Sequence, residues 1–325
     1  MTDRQDALQH ASAADPWRLI FFGSAEFALP ALKALAAGPD EVVLAVTPPP
    51  APAGRGRQLC PSPVAAIAAE LGVEALETKS VKKPEIIAAI RAARPDLLVV
   101  AAYGGFLPPE LLNLCPFPPL NIHPSLLPRH RGAAPVNWSL MAGDGQVGVS
   151  IIFLEEAMDA GPILSQRAFP VIGPDSAGTW EARLAQAGAE DLLRVIADLK
   201  RGEAQPQPQD AALATVNPLL RKEDGRVAWN RPAAALAGLM NGLDPWPGAQ
   251  ARFAGKSLKL FGASAAKISG PAEPGRVLGL DEAGRLLIAA QDGAVAVEYF
   301  QPEGKKRMAA ADFQRGYRPE RLEDA

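Results

Sequence analysis

Short apolar runs alternate with stretches of helical periodicity over the first two hundred residues. The apolar runs predict strands at residues 18–23, 42–47, 96–104, 119–123, 148–154 and 163–171, with a short extended piece near Val73. Apolar residues three and four positions apart predict helices at 27–35, 63–71, 84–93 and 178–200. Strands that are apolar throughout are buried on both faces. The pattern therefore predicts an α/β fold with a largely parallel, Rossmann-like sheet.

The pattern changes after a polar stretch, GEAQPQPQD, at residues 202–210. Beyond it, a helix at 232–243 is followed by short strands separated by Gly, Pro and Asp, which predict a small β-barrel or sandwich. Asp224 and Gly225 lie between two extended runs and predict a hairpin turn. We expect a catalytic domain at 17–203, a linker at 204–212 and a C-terminal domain at 213–325.

The composition is typical of a globular protein, because 48% of the 325 residues are apolar and 21% are charged. No apolar run approaches the ~20 residues that a membrane helix needs. Residues 1–16 are polar and include acidic side chains, so we expect a flexible extension and not a signal peptide. Cys60 and Cys115 match no metal-binding or redox spacing. We therefore expect a reduced, cytoplasmic chain without a metal site.

The net charge of −3 is unevenly distributed. Residues 217–325 contain 16 Lys and Arg against 13 Asp and Glu, whereas residues 1–216 contain 17 against 23. The second half could bind a polyanion, although on charge alone a solvated surface is the better explanation. The first turn, FFGSAEFA, has one glycine and lacks the three-glycine fingerprint of dinucleotide binding, so nothing indicates NAD.

The candidate chemistry lies in LNIHPSLLPRHRGAAP, residues 120–135, where three prolines exclude a helix or a central strand. Asn121 and His123 are two residues apart at a strand end, so both side chains point to one side of the sheet. An amide and an imidazole can stabilise an oxyanion. Asp159, in the constrained turn MDAGPIL, could orient and charge His123. A structural histidine and a turn-forming aspartate would explain the same residues.

The sequence NIHPSLLPRHRGAAP, followed by MDAGPIL, closely resembles the signature of the 10-formyltetrahydrofolate-dependent formyltransferases. The similarity covers almost the whole chain. It includes FFGSAEFALPAL, PAGRGRQLCPSPV, AAYGGFLPPELL, NPLLRKEDGRVAWN, DPWPGA and QPEGKKRMAAADF. The resemblance implies that Asn121, His123 and Asp159 are catalytic. It also implies an OB-like C-terminal barrel.

The resemblance further implies that 10-formyltetrahydrofolate is the donor and that methionine on an initiator tRNA is the acceptor. Folate-binding residues would be Ser125, Leu126, Leu127 and Pro128. Contacts to tRNA would come from Arg55 and Arg57 in the long proline-rich loop, and from Lys305, Lys306 and Arg307. We expect a monomer. The alternatives are a sugar-nucleotide N-formyltransferase, a formyl-folate hydrolase, and a catalytically silent tRNA-binding protein.

Overall fold

The computed structural model describes residues 15–53 and 58–325. Predictions for residues 1–14, and for Arg55 and Arg57, lie outside the described residues. The chain divides into two units. The first comprises the described part of Met1–Arg131 together with Gly148–Ala168 and Ala182–Thr215, and the second comprises Gly132–Val147, Phe169–Glu181 and Val216–Ala325. The predicted domain boundaries at 203 and 213 stay predictions.

The elements up to residue 201 include the strands and helices that the apolar pattern predicts, together with five that it did not, at residues 51–53, 58–60, 109–112, 131–132 and 135–142. In chain order they are β1 (Arg18–Gly23), α1 (Leu29–Ala36), β2 (Glu41–Thr47), β3 (Ala51–Ala53), β4 (Gln58–Cys60), α2 (Pro63–Glu70), β5 (Ala75–Glu77), α3 (Pro84–Ala92), β6 (Leu97–Ala101), α4 (Pro109–Leu112), β7 (Leu120–His123), β8 (Arg131–Gly132), α5 (Pro135–Ala142), β9 (Gln146–Phe153), β10 (Ile163–Pro170) and α6 (Ala177–Arg201). A 3₁₀ turn, Glu26–Ala28, precedes α1.

Seven of these strands form one sheet in the order β10-β9-β7-β6-β1-β2-β5. The pairs from β7 through β6, β1 and β2 to β5 are parallel, and β9 is antiparallel to β7. Residues Leu19 to Phe22 of β1 are fully buried. The largely parallel α/β sheet is therefore confirmed. The chain order reverses beside β1, and ligands on such sheets bind beyond the carboxyl ends of the strands near that reversal.

All but the first of the remaining elements form a second, antiparallel sheet with two flanking helices, and the first pairs with β8. They are β11 (Val216–Asn217), α7 (Ala233–Gly242), β12 (Ala249–Phe253), β13 (Lys256–Ala266), β14 (Val277–Leu280), β15 (Leu286–Ala289), β16 (Ala294–Pro302), β17 (Met308–Ala309) and α8 (Ala310–Tyr317). The sheet order is β12-β13-β16-β15-β14, with β17 on β16. Residues 320–323 bond to Arg252 in β12 and to Gly275 and Val277 at β14, so they connect the two edge strands.

The second unit has its own apolar core, which includes Trp229, Met240, Phe300 and Phe313. Helix α7 also packs closely on α5, because a Cβ on Gly238 would lie 2.6 Å from the carbonyl oxygen of Leu140. Glycine is needed at this position because the α5 backbone occupies the space of a side chain. The antiparallel β domain predicted from the turn spacing is present.

The predicted hairpin at residues 224–225 is wrong. Lys222–Gly225 forms a 3₁₀ turn, in which the Asp224 carboxylate accepts from the Arg221 backbone N–H at 2.6 Å. The preceding strand, β11, pairs with β8 and not with the residues after the turn. A Cβ on Gly225 would lie 2.6 Å from the carbonyl oxygen of Gly248. Glycine is therefore needed at this position because the backbone of Gly248 lies close by, and not to form a two-residue hairpin.

Candidate active site

Asn121 and His123 lie on β7, which is inside the sheet between β6 and β9. They are two residues apart and so share one face of the sheet. His123 ends the strand at the carboxyl edge of the parallel strands and is 5% exposed. Asn121 is half-buried, and its side chain makes no hydrogen bond to another residue that the structure describes. Its amide N–H groups are therefore available to a ligand.

Asp159 lies in the loop between β9 and β10 and adopts a left-handed backbone conformation, with φ 51°. Its Oδ2 lies 3.7 Å from Nδ1 of His123, and both side chains are largely buried. Two residues later, Gly161 is buried against the end of β9, where a Cβ would overlap the carbonyl oxygen of Phe153. The turn is therefore held close to the backbone of β9, and the structure brings the predicted acid and imidazole together.

The second ring nitrogen of His123, Nε2, is hydrogen-bonded within the protein. Nε2 lies 2.9 Å from the backbone carbonyl oxygen of His130. A carbonyl oxygen only accepts hydrogen bonds, so Nε2 carries a proton. Nδ1 is the other ring nitrogen, and it faces Asp159.

The predicted folate-binding residues form a tightly bonded loop. The Ser125 hydroxyl donates to the carbonyl oxygen of Arg129 at 2.8 Å, and the Ser150 hydroxyl donates to the carbonyl oxygen of Ser125 at 2.7 Å. Leu127 is buried, and its carbonyl oxygen accepts from the Gln166 amide at 2.9 Å. Leu126 and Pro128 are half-buried. Direct folate contact stays a prediction for all four residues.

The predicted tRNA-binding residues of the second unit differ in their surroundings. Lys305 and Lys306 are exposed in the turn before β17. Arg307 makes a two-pronged ion pair with Asp244, at 2.7 and 3.2 Å, and lies 3.5 Å from the centre of the Phe261 ring. The Arg307 guanidinium therefore already holds the turn at Asp244. The lysines are the freer candidates for a phosphate contact.

Sequence reasoning missed three residues that support the site. Gln209 bonds to the Asp159 turn and to Arg131, and Thr215 bonds to residues 128–131. The polar composition around Gln209 is typical of a linker and gave no signal of this role. Arg131 lies in the motif at residues 120–135, and its charge beside His130 was the one sequence feature that indicated a supporting role.

Metal-binding and membrane-spanning features are both absent from residues 15–53 and 58–325. In these ranges no group of three or more His, Cys, Asp or Glu side chains is arranged to hold a metal ion. Within the same ranges, every helix is too short or too polar to cross a bilayer.

Comparison with known proteins identifies the fold. Residues 17–196 match the formyl transferase family, and residues 219–318 match the formyl transferase C-terminal domain. The chain belongs to the formyltransferase family. The predicted family and the predicted α/β fold with a C-terminal β domain are thereby confirmed.

Several relatives are similar over nearly their full length. The chain is 44% identical to a methionyl-tRNA formyltransferase of Desulfotalea psychrophila, over 91% of each chain. It is 40% identical to a methionyl-tRNA formyltransferase of Geobacter sulfurreducens, over 93% of this chain and 95% of that one. These relatives match both domains of the chain.

Solved structures with lower identity share the fold. HypX from Aquifex aeolicus, in complex with tetrahydrofolic acid, has a TM-score of 0.60 at 20% identity. The match covers 92% of this chain, which spans about half of HypX, 47%. An N-formyltransferase from Helicobacter canadensis, in complex with folinic acid and dTDP-3-aminofucose, has a TM-score of 0.64 at 11% identity, over 89% of this chain and 99% of that one.

Proposed function

We propose that the protein transfers the formyl group of 10-formyltetrahydrofolate to the α-amine of methionine on initiator methionyl-tRNA. One observation carries the choice of acceptor. Relatives named methionyl-tRNA formyltransferase are 37–44% identical over more than 90% of both chains. The likeness to sugar N-formyltransferases is far weaker, at 11–18% identity. The enzyme acts in the cytoplasm as a monomer.

The reaction exchanges one bond to the formyl carbon for another. The amine nitrogen of methionine forms a bond to that carbon, and the bond to the folate nitrogen breaks. The amine loses a proton, and the departing folate nitrogen gains one. An α-amine has an ordinary pKa near ~7.7–8.0, so a useful fraction is neutral and nucleophilic at physiological pH.

Asn121 and His123 stabilise the oxygen of the reacting carbonyl. Attack places negative charge on that oxygen, and hydrogen-bond donors fixed in position lower the energy of such a transition state. The amide of Asn121 donates one bond. His123 donates from Nδ1, because its Nε2–H is committed to the carbonyl oxygen of His130.

Asp159 has two tasks. Its carboxylate lies 3.7 Å from Nδ1 and stabilises the protonated imidazole electrostatically. The same carboxylate accepts the proton of the attacking amine, through a bridging water. Ser125, Leu126, Leu127 and Pro128 form the wall beside the folate, and the bonds of Ser125 to β9 and of Leu127 to β10 keep that wall rigid before the substrate binds.

The tRNA is bound by groups outside the catalytic trio. Arg55 and Arg57 contact the acceptor end of the tRNA, and Lys305 and Lys306 contact its backbone phosphates. Arg307 contributes to tRNA binding indirectly, because it holds the turn at Asp244. A net basic surface attracts a polyanion at long range, and each phosphate contact adds to the salt dependence of binding.

One experiment tests this assignment. The protein is incubated with formyl-labelled 10-formyltetrahydrofolate and offered charged initiator tRNA, a nucleotide-linked amino sugar, or no acceptor. We expect label on the methionyl-tRNA, and background label with Asp159→Asn. Faster transfer to the amino sugar would overturn the choice of acceptor. Release of free formate at the same rate without any acceptor would indicate a hydrolase.

A further inference from the structure

The side chain of Gln209 connects the Asp159 turn to the loop after β7. Its Nε2 donates to the carbonyl oxygens of Asp159 and Gly161, at 2.8 and 2.7 Å. Its Oε1 accepts from Nε and Nη2 of Arg131, at 3.1 and 2.8 Å. The carboxamide therefore uses two donor and two acceptor positions at once.

The chemistry of the partners fixes the orientation of this amide. A guanidinium only donates hydrogen bonds, and a backbone carbonyl only accepts them. The oxygen of Gln209 must therefore face Arg131, and the NH₂ group must face Asp159 and Gly161. No other uncharged side chain of this length offers a matching pair of groups.

Each end of Gln209 reaches one half of the catalytic pair. The Asp159 turn carries the carboxylate itself. Arg131 directly follows His130, whose carbonyl oxygen accepts from Nε2 of His123. Gln209 therefore connects, by hydrogen bonds, the loop that carries Asp159 to the loop whose carbonyl oxygen orients the imidazole of His123.

Neighbouring residues fix the segment that carries Gln209. Gln207 forms two backbone hydrogen bonds with Ile163, each 2.8 Å long. The Thr215 hydroxyl accepts from the His130 backbone N–H at 2.8 Å, and its carbonyl oxygen accepts from the Arg131 N–H at 2.9 Å. The polar segment 207–215 is therefore bonded on both sides of Gln209.

We infer that Gln209 is a positioning residue for formyl transfer, which sets the distance between the Asp159 carboxylate and His123. The inference rests on the proposed function of that pair. Gln209 touches neither substrate in this role. It acts on turnover through the backbone of the Asp159 turn.

Gln209→Glu is the most direct test, because it changes one NH₂ group to oxygen at constant size. The new oxygen faces two carbonyl oxygens and repels them, while the bonds to Arg131 remain. A displacement of the turn by about 1 Å predicts a loss of about 100-fold in kcat. We expect KM for both substrates to stay near the parent values.

The pH profile separates positioning from general damage. When the carboxyl group introduced by Gln209→Glu is protonated, it can donate to one of the carbonyl oxygens. The ratio of variant to parent kcat should therefore rise as the pH is lowered from 8 to 5.5. Gln207→Glu is the matched control, because that side chain is exposed and bonds locally to the carbonyl oxygen of Gln205. It should retain parent activity at every pH.

Three results would overturn the inference. They are a Gln209→Glu kcat within twofold of the parent, a loss confined to KM, and a kcat ratio that does not change with pH. If Gln209→Glu does not fold, as judged by circular dichroism, Gln209→Met is measured, with the same loss of kcat expected and no pH dependence of the ratio. A parent without activity on charged initiator tRNA would instead contradict the proposed function, and the variants would then be compared on the acceptor that the parent uses.

Discussion

Gly161→Ala tests how the backbone of β9 positions the Asp159 carboxylate, which we propose is catalytic. Gly161 is buried, and a Cβ there would overlap the carbonyl oxygen of Phe153 and lie 3.0 Å from the carbonyl carbon. Real Cβ atoms essentially never approach another heavy atom more closely than 3.0 Å. The obstacle is backbone and cannot rotate away. The turn must therefore move by about 1 Å, and Asp159, two residues earlier, must move with it.

The loss can be worked from the distance of 3.7 Å between the Asp159 carboxylate and Nδ1 of His123. With an effective dielectric constant of ~20, the attraction between unit charges falls from about 4.5 to about 3.5 kcal/mol when their separation grows by about 1 Å. The difference of about 1 kcal/mol corresponds to about fivefold in rate. Misalignment of the reacting groups can raise the loss to about 100-fold. We expect kcat/KM to fall between these limits.

The assay is formyl transfer to charged initiator tRNA, with thermal unfolding measured on the same samples. Gly173→Ala is the matched control, because a Cβ there meets nothing within 4 Å. Overpacking at Gly161 should also cost about 1–3 kcal/mol of stability. If Gly161→Ala folds and retains kcat/KM within twofold of the parent, the close approach to β9 does not position Asp159, and the reasoning is refuted.

Four further predictions follow from the site and its surroundings. Asp159→Asn should remove most turnover and leave the melting temperature and tRNA binding near the parent values, and a variant with half the parent kcat would contradict its role. Arg55→Ala should cripple formylation of charged tRNA without changing formyl-folate affinity, and equal activity of variant and parent would refute the contact. Burial raises the pKa of the Glu181 carboxyl in the folded protein. The stability that the neutral carboxyl contributes is therefore present below its ordinary pKa and is lost as the pH rises through the raised pKa. Glu181→Gln should therefore raise the melting temperature at pH 7 and not at pH 4, whereas an equal gain at both pH values would contradict the burial effect. Burial raises the pKa of the Cys115 thiol to about 12, whereas Cys60 is exposed. A thiol reagent should therefore label one cysteine in the native chain, none in native Cys60→Ser, and two in the parent chain under denaturant. Rapid labelling of two thiols in the native chain would be inconsistent with this packing.

The local sequence was enough to predict the elements of the first sheet. The runs at 18–23 and 42–47 became β1 and β2 with a shift of at most one residue, because strands buried on both faces must be apolar throughout. The helix predicted at 178–200 spans Ala177–Arg201. The hairpin prediction at 224–225 failed because Gly225 is required by a contact with Gly248, which is distant in sequence.

The chemistry of the three proposed catalytic residues could also be predicted from the sequence, but their geometry could not. Asn121 and His123 share a face because of strand periodicity alone. The position of Asp159 does not follow from strand periodicity. The end of β9 pairs with the start of β7, at Phe153 and Leu120, so the loop after β9 begins away from His123. The path of residues 154–162 brings the carboxylate back to 3.7 Å from Nδ1. No pattern in the sequence encodes that path.

The sequence by itself determined which residues could stabilise an oxyanion and accept a proton, because side-chain chemistry and strand periodicity are local properties. Only the tertiary structure decided which nitrogen of His123 faces Asp159, since the partner of Nε2 is a backbone carbonyl seven residues away. It also decided that Gln209, in a segment with the composition of a linker, bonds both to Arg131 and to the Asp159 turn. Hydrogen bonds to backbone atoms leave no mark in the partner's side-chain identity, so these contacts appear only when the chain is folded.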